Sequence, residues 1–211
     1  MRHFEIIDVE QGSDEWKQAR IGLVTGSRAD CVVAKIKSGE AATRRDYRIE
    51  LLAERLTGNP GPDIYFSKEM AWGVENEPFA RMAYESMTGE MVRQTGFLRS
   101  TRFAAGASLD GDLQDMEGII EIKCPKTATH LSYLELDGAP KHYMPQITHN
   151  LLISGAAWCD FVSFDPRLPD HLQFIARRVY AADIDMKGYE EELVRFLAEL
   201  DVLENNLRGR K

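Results

Sequence analysis

Three ionisable side chains carry the clearest chemistry in the sequence: Asp110, Glu121 and Lys123. They lie in the run Ser108-Leu109-Asp110-Gly111 and in the run from Ile119 through Glu121-Ile122-Lys123-Cys124 to Pro125. Both runs read as short strands, joined by the polar, turn-prone residues 112–118. Side chains alternate faces along a strand, so Glu121 and Lys123 point the same way and Ile120 and Ile122 point into the body of the protein. Pro125 cannot continue a central ladder and ends the strand. With Asp110 arriving from the neighbouring segment, two carboxylates and a backbone carbonyl suit Mg²⁺, which keeps its other positions for water and phosphate. The lysine can then orient or activate an attacking water. The competing reading is a cross-strand Glu121–Lys123 ion pair on a solvated face, where such pairs are common and weak.

The elements that must position these groups follow from spacing and turn chemistry. Residues 13–20 read as a short helix capped by Ser13 or Asp14, with Trp16 and Ala19 inward and Gly22 as its break. Ser27 with Asp30 resembles a capping box for the next helix, and a helix start near Arg20 could hold a phosphate. Residues 43–57 read as a helix with Ile49, Leu52, Ala53 and Leu56 on its buried face. Gly58 to Pro62 is a loop, and a long helix over 67–88 carries Met70 and Glu77. Short strands at 91–93, 97–99 and 103–107 are expected to join 119–124 in one small sheet. A helix over 127–136 follows, then one over 140–154, with a kink expected at Pro145 and with Tyr143 and Gln146 sharing a face. Strands at 157–164 and 172–180 precede a final helix over about 186–206. The order predicts an α/β fold, a central mixed sheet flanked by helices, in one domain spanning 1–211.

Composition sets limits on the class. The chain has 211 residues, 44% hydrophobic and 28% charged, and a formal net charge of −8. No apolar run approaches a membrane span, no secretory leader is visible, and the cysteines at 31, 124 and 159 have neither zinc-knuckle nor even-numbered disulfide spacing. A reducing cytoplasm is the expected compartment. Charge is unevenly spread: residues 20–48 are basic and 181–204 acidic, which predicts a basic face toward nucleic acid and an acidic, solvated helix face.

The Asp, then Glu-x-Lys arrangement resembles the PD-(D/E)xK nuclease superfamily, whose restriction-endonuclease-like fold is the expected one. It has company in the order Trp16-x3-Arg20-x-Gly22-x2-Thr25-Gly26-Ser27, Ala71-Trp72-Gly73 with Glu77, Ser108-x-Asp110-Gly111, Glu121-Ile122-Lys123-Cys124-Pro125 and Tyr143-Met144-x-Gln146. This joint pattern, over residues 12–166, resembles the lambda exonuclease family of phage-type recombination exonucleases, also called YqaJ-like or alkaline exonucleases.

The resemblance implies Asp110, Glu121 and the carbonyl of Ile122 as ligands for two Mg²⁺ ions, with Mn²⁺ as a conceivable substitute. Lys123 would position or deprotonate the water, with Glu77, Tyr143 and Gln146 completing the network. Arg20, Ser27 and Ser108 match the family's pocket for a terminal 5′-phosphate, and Met70 its apolar wedge. Where the family places a second basic residue, this chain has Thr129, with Lys126 and His130 close by. The implied activity is 5′→3′ degradation of double-stranded DNA to mononucleotides by a homotrimeric ring, leaving a 3′ tail for a single-strand annealing partner. Rivals are an endonuclease of the same superfamily, an iron–sulfur exonuclease, disfavoured because the cysteines cannot supply a four-thiolate cluster, and a non-catalytic DNA-end binder.

Overall fold

The computed structural model describes residues 2–61 and 67–210. In chain order the elements are β1 (Phe4–Ile7), α1 (Asp14–Ala19), β2 (Val24–Thr25), α2 (Ala29–Val33), α3 (Ala42–Thr57), α4 (Lys68–Thr88), β3 (Phe97–Ser100), β4 (Ala105–Ala107), β5 (Gly111–Leu113), β6 (Gly118–Lys123), α5 (Thr127–Leu134), α6 (Met144–Ser154), β7 (Trp158–Phe164), β8 (Phe174–Tyr180) and α7 (Met186–Arg208).

Several boundaries follow from local chemistry. Ser13 caps α1 through the Trp16 N–H, Ser67 caps α4 through the Met70 N–H, and Gly58, Gly89 and Gly155 end α3, α4 and α6 in the left-handed conformation. Pro145 lies in the first turn of α6, where its missing N–H costs nothing, so the expected kink is absent and a 3₁₀ turn over Lys141–Tyr143 leads into the helix instead. Ser27 is no cap: it sits exposed inside a 3₁₀ turn spanning Gly26–Arg28. Of the expected 58–62 loop, Pro62 lies outside the described residues.

The strands form two mixed four-stranded sheets, ordered β1-β3-β4-β2 and β5-β6-β7-β8. This corrects the expectation that 97–107 pairs with 119–124. Ala107 ends the first sheet and Gly111 starts the second, with Ser108-Leu109-Asp110 crossing between them. Residues 91–93 contribute only a bridge from Arg93 to Asp112. Residues 112 and 113 are strand rather than turn.

Both faces of β6 are covered. Ile120 and Ile122 pack with Ala80 and Tyr84 of α4, while Ile119 joins Ile147 and Leu151 of α6, Phe161, and Leu193 and Phe196 of α7. Each such side chain contributes roughly 1.5–3 kcal/mol by leaving water. The predicted apolar face of α3 holds only at Leu52: Arg44, Tyr47 and Leu51 are buried with it, whereas Ile49, Ala53 and Leu56 are exposed. Arg44 and Arg48 are drawn in by Glu199 of α7, and the Arg44 guanidinium lies over Phe196.

The charge map changes accordingly. Lys35 pairs with Glu192, Arg55 with Asp201 and Glu204, and Arg28 with Glu50. The basic segment and the acidic helix face each other, so neither is the free surface its sequence suggested.

Candidate functional site

The Ser108–Asp110 crossing decides the geometry. Leu109 is buried and anchors the segment, while Ser108 and Asp110 flank it two residues apart. In an extended segment that spacing puts both side chains on one side, with their Cα atoms about 6.5 Å apart. Gly111 follows because a Cβ there would meet the Val92 side chain at 2.2 Å.

Asp110 Oδ2 accepts the Ile122 N–H at 2.6 Å, which fixes the carboxylate beside β6. The N–H and C=O of an extended residue point to the same strand edge. The Ile122 carbonyl therefore faces the edge from which Asp110 approaches, beyond the end of the β5–β6 ladder at Ile120.

Glu121 is 1% exposed. The reading of Glu121 and Lys123 as a solvated surface pair is thus corrected. They do form an ion pair, but a buried one, and Lys123 Nζ lies 5.3 Å from the Tyr143 ring centroid. Tyr143 stacks on Phe161.

The electrostatics mark this as a strained cluster of charge. Burial pushes the Glu121 carboxyl up, the Lys123 charge pulls it back and Asp110 adds to the rise. Burial also raises Asp110, against Lys123 and the Ile122 N–H. Burial pulls the Lys123 ammonium down, but Glu121 and Asp110 outweigh it and hold it above its ordinary value.

Helix α4 does cross the site. Glu77 is half-buried and its carboxyl is raised by burial and by the Asp110 charge, while Arg81 pairs with it at 2.6 Å. Among the described residues no three His, Cys, Asp or Glu side chains converge as a ready metal cage. A buried and a half-buried carboxylate beside the Ile122 carbonyl still fit a hard cation that retains water ligands. Glu121 Oε1 is buried and, among the described residues, is met only by the Lys123 ammonium, while Oε2 is held by Asn150. Gln146 lies one turn before Asn150 on α6, on the face turned toward Glu121.

A second cluster lies on the Ser108 side. Trp16 Nε1 donates to Ser108 Oγ at 2.8 Å, and Arg20 Nη1 donates to the same oxygen at 3.0 Å. With both lone pairs engaged, the Ser108 hydroxyl is left to donate outward. The Arg20 guanidinium stacks over Trp16 at 3.8 Å. No carboxylate pairs with Arg20 among the described residues, and burial lowers its pKa to about 10. A half-buried arginine with no carboxylate partner among the described residues, beside a hydroxyl left to donate, presents the donors an anion would need. Ser27 is exposed on the adjoining turn and makes no side-chain hydrogen bond. Met70 is 44% exposed in the first turn of α4.

His130 is excluded from that pocket. It is fully buried, with Nε2–H donating to the Leu172 carbonyl and Nδ1 accepting from Ser163 Oγ. Lys126 pairs with Glu69, and Thr129 is half-buried on α5. Sequence reasoning missed Asn150, whose Nδ2 donates to Glu121 Oε2 at 3.1 Å. It also missed the roles of Trp16 and Arg81. Asn150 left no signal, because α6 already carries Gln146, Thr148, His149 and Ser154 among its apolar residues.

This geometry can be set beside known proteins. A YqaJ-like viral recombinase domain matches residues 15–157. The chain belongs to the YqaJ-like viral recombinase family. The solved structure of LHK-Exo in complex with dAMP is 38% identical, with 93% of this chain and 96% of that chain covered and a TM-score of 0.83. The alkaline exonuclease LHK-Exo from Laribacter hongkongensis is 39% identical over the same shares, with a TM-score of 0.84. A phage-related exonuclease from Haemophilus somnus 129PT is 15% identical over 88% of this chain and 96% of that one, with a TM-score of 0.68, and bears on the fold alone. No curated protein matches the chain. The resemblance to the lambda exonuclease family and the PD-(D/E)xK-like fold hold, and membership of this alkaline-exonuclease-like family implies nuclease activity. No helix among the described residues is long and apolar enough to cross a membrane.

Proposed function

We propose that this YqaJ-like chain is a Mg²⁺-dependent 5′→3′ exonuclease on double-stranded DNA, releasing 5′-mononucleotides and leaving a 3′ single-stranded overhang. The observation that carries this reading is the Ser108–Asp110 segment. One short stretch presents Ser108 to an unpaired arginine and Asp110 to a carboxylate site, so a terminal phosphate held by the first lies at a fixed reach from the second. A nuclease so built acts at an end. The dAMP bound by LHK-Exo supports a mononucleotide product.

Asp110, Glu121 and the Ile122 carbonyl would hold the metal, with Asp110 shared between two ions. Ions at such a site activate water and neutralise charge on the phosphodiester. Lys123, held as an ammonium, donates to and orients the attacking water. Tyr143 keeps the lysine in place from the α6 side, Gln146 extends the hydrogen-bonding surface, and Glu77, steadied by Arg81, closes the site from α4. Arg20, Ser108 and Ser27 would receive the 5′-phosphate, and Met70 would separate the last base pairs. We further infer one nuclease unit in a homotrimeric ring in the cytoplasm, handing its 3′ tail to an annealing protein.

The test is a linear duplex with one 5′-phosphorylated strand, labelled in turn on each strand, with Mg²⁺ or EDTA. Mg²⁺-dependent loss of the phosphorylated strand from its 5′ end, with the complement intact, is expected. Loss from the 3′ end or cutting of closed circular DNA would overturn the proposed polarity or the end requirement. Binding of ends without any cleavage would mean a non-catalytic protein.

A further inference from the structure

Glu121 does not offer both oxygens equally. Oε2 accepts from Asn150 Nδ2 at 3.1 Å, while the buried Oε1 is engaged only by the Lys123 ammonium, which can move off to a water when a cation takes that oxygen. Asn150 is 2% exposed and its carboxamide is wedged from behind. A Cβ at Gly26 would stand 2.3 Å from Asn150 Oδ1, so this residue must be glycine for the amide to sit where it does. The Asn150 Oδ1 itself has no hydrogen-bond partner. A buried amide acceptor left unpaired is unfavourable, so the orientation of the amide is set by its contact with Glu121 and permitted by the close approach of Gly26.

The consequence concerns the metal. Ca²⁺ accepts carboxylates through one or both oxygens in loose shells of 6–8 ligands, whereas Mg²⁺ demands a tight octahedron of single oxygens and waters. Resting on the reading of Glu121 as a metal ligand, we propose that Asn150 is a positioning residue that restricts Glu121 to one-oxygen ligation, and so makes the site discriminate Mg²⁺ against Ca²⁺. Asn150 acts through Glu121 and touches neither cation nor DNA. A purely structural amide would support the site for both cations alike.

The experiment is calorimetric titration of the DNA-free protein with Mg²⁺ and, separately, with Ca²⁺. Asn150→Leu keeps the branched shape and removes the donor. Gly26→Ala keeps Asn150 and displaces it. Each is expected to shift the Mg²⁺-to-Ca²⁺ affinity ratio about 10-fold toward Ca²⁺, the size usual for the loss of a residue that orients a metal ligand. Because both act on one contact, the Gly26→Ala/Asn150→Leu double variant should shift it no further. Near-ultraviolet circular dichroism checks the fold, and if Asn150→Leu fails to fold, Gly26→Ala carries the test. Equal weakening of both cations, an unchanged ratio, or additive shifts in the double variant would overturn the inference while leaving the metal site standing. A wild-type protein that binds neither cation would remove the metal-site reading, and this inference with it.

Discussion

Arg20 offers the sharpest test of the pocket, because the structure says that the residue is held at a cost. Its guanidinium is half-buried with no carboxylate partner among the described residues, and burial lowers its pKa from 12.5 to about 10. Arginine does not titrate at working pH, so the shift matters as an energy. The unfolded chain binds the proton more tightly, the cost is fully present below pH 10, and at 1.36 kcal/mol per unit it comes to about 3 kcal/mol. Arg20→Met keeps the stem and removes the charge. It also loses the stacking on Trp16, worth about 0.5–1 kcal/mol, and the hydrogen bond to Ser108, worth about 1 kcal/mol. The net expectation is a gain of about 1 kcal/mol, or roughly 2–4 °C in melting temperature. Inorganic phosphate should raise the melting temperature of the wild type and leave the variant unmoved. The variant should also lose its preference for 5′-phosphorylated over 5′-hydroxyl ends. Thermal unfolding by circular dichroism with and without phosphate, and cleavage of the two duplexes, read all three. A variant that melts below the wild type, still responds to phosphate and still prefers phosphorylated ends would refute the pocket.

Other expectations are briefer. Asp110→Asn should abolish cleavage, measured on end-labelled duplex, while end binding by gel shift persists; full activity would remove Asp110 from the site. His149 is fully buried between the Tyr189 hydroxyl and the Gly106 carbonyl, with Arg20 near, and burial lowers its pKa to about 4. Its contribution is present above pH 6.5 and is lost as the pH falls toward 4, a decline of about 3 kcal/mol that urea titrations across this range should register and His149→Gln should flatten. Asp160 holds Arg178 through two bonds of 2.8 Å and accepts from the Tyr84 hydroxyl at 2.6 Å. Asp160→Ala should cost about 1–3 kcal/mol in urea unfolding, because it strands the buried Tyr84 hydroxyl, while the part-exposed Arg178 guanidinium can turn to water.

Asp110, Glu121 and Lys123 were legible because alternation along a strand and a short connection fix their juxtaposition locally. The pocket around Ser108 was legible only as a motif, since it depends on α1 meeting the crossing between two sheets. β1 escaped notice because a strand of four residues acquires its meaning from Ser100 and its neighbours far along the chain. The face of α3 was misread for a different reason. Arg44 counts as polar in a hydrophobic pattern, yet its stem packs over Phe196 while its head is met by Glu199, so the helix rolls to bury arginine and leaves Ile49 at the surface. Asn150 was invisible because its neutral amide carries no charge signature; only its burial beside Glu121 gives it meaning.

The pairing of α3 with α7 also bears on how a chain of net charge −8 would stay on DNA. Free cations on an open surface would make affinity fall steeply with salt, with a slope close to the number of phosphates neutralised. Here Arg44, Arg48 and Arg55 are spent on Glu199, Asp201 and Glu204 and cannot serve as that surface. If persistence comes instead from enclosure by a ring, salt should act on loading and not on staying loaded. Raising salt to a level that blocks initiation should then leave preloaded complexes digesting long duplex, with degradation followed by strand length over time. A protein that is monomeric by light scattering at assay concentration, or one that stops when salt is added after loading, would show that the duplex is held by open contacts, and a basic surface outside α3 would have to be sought.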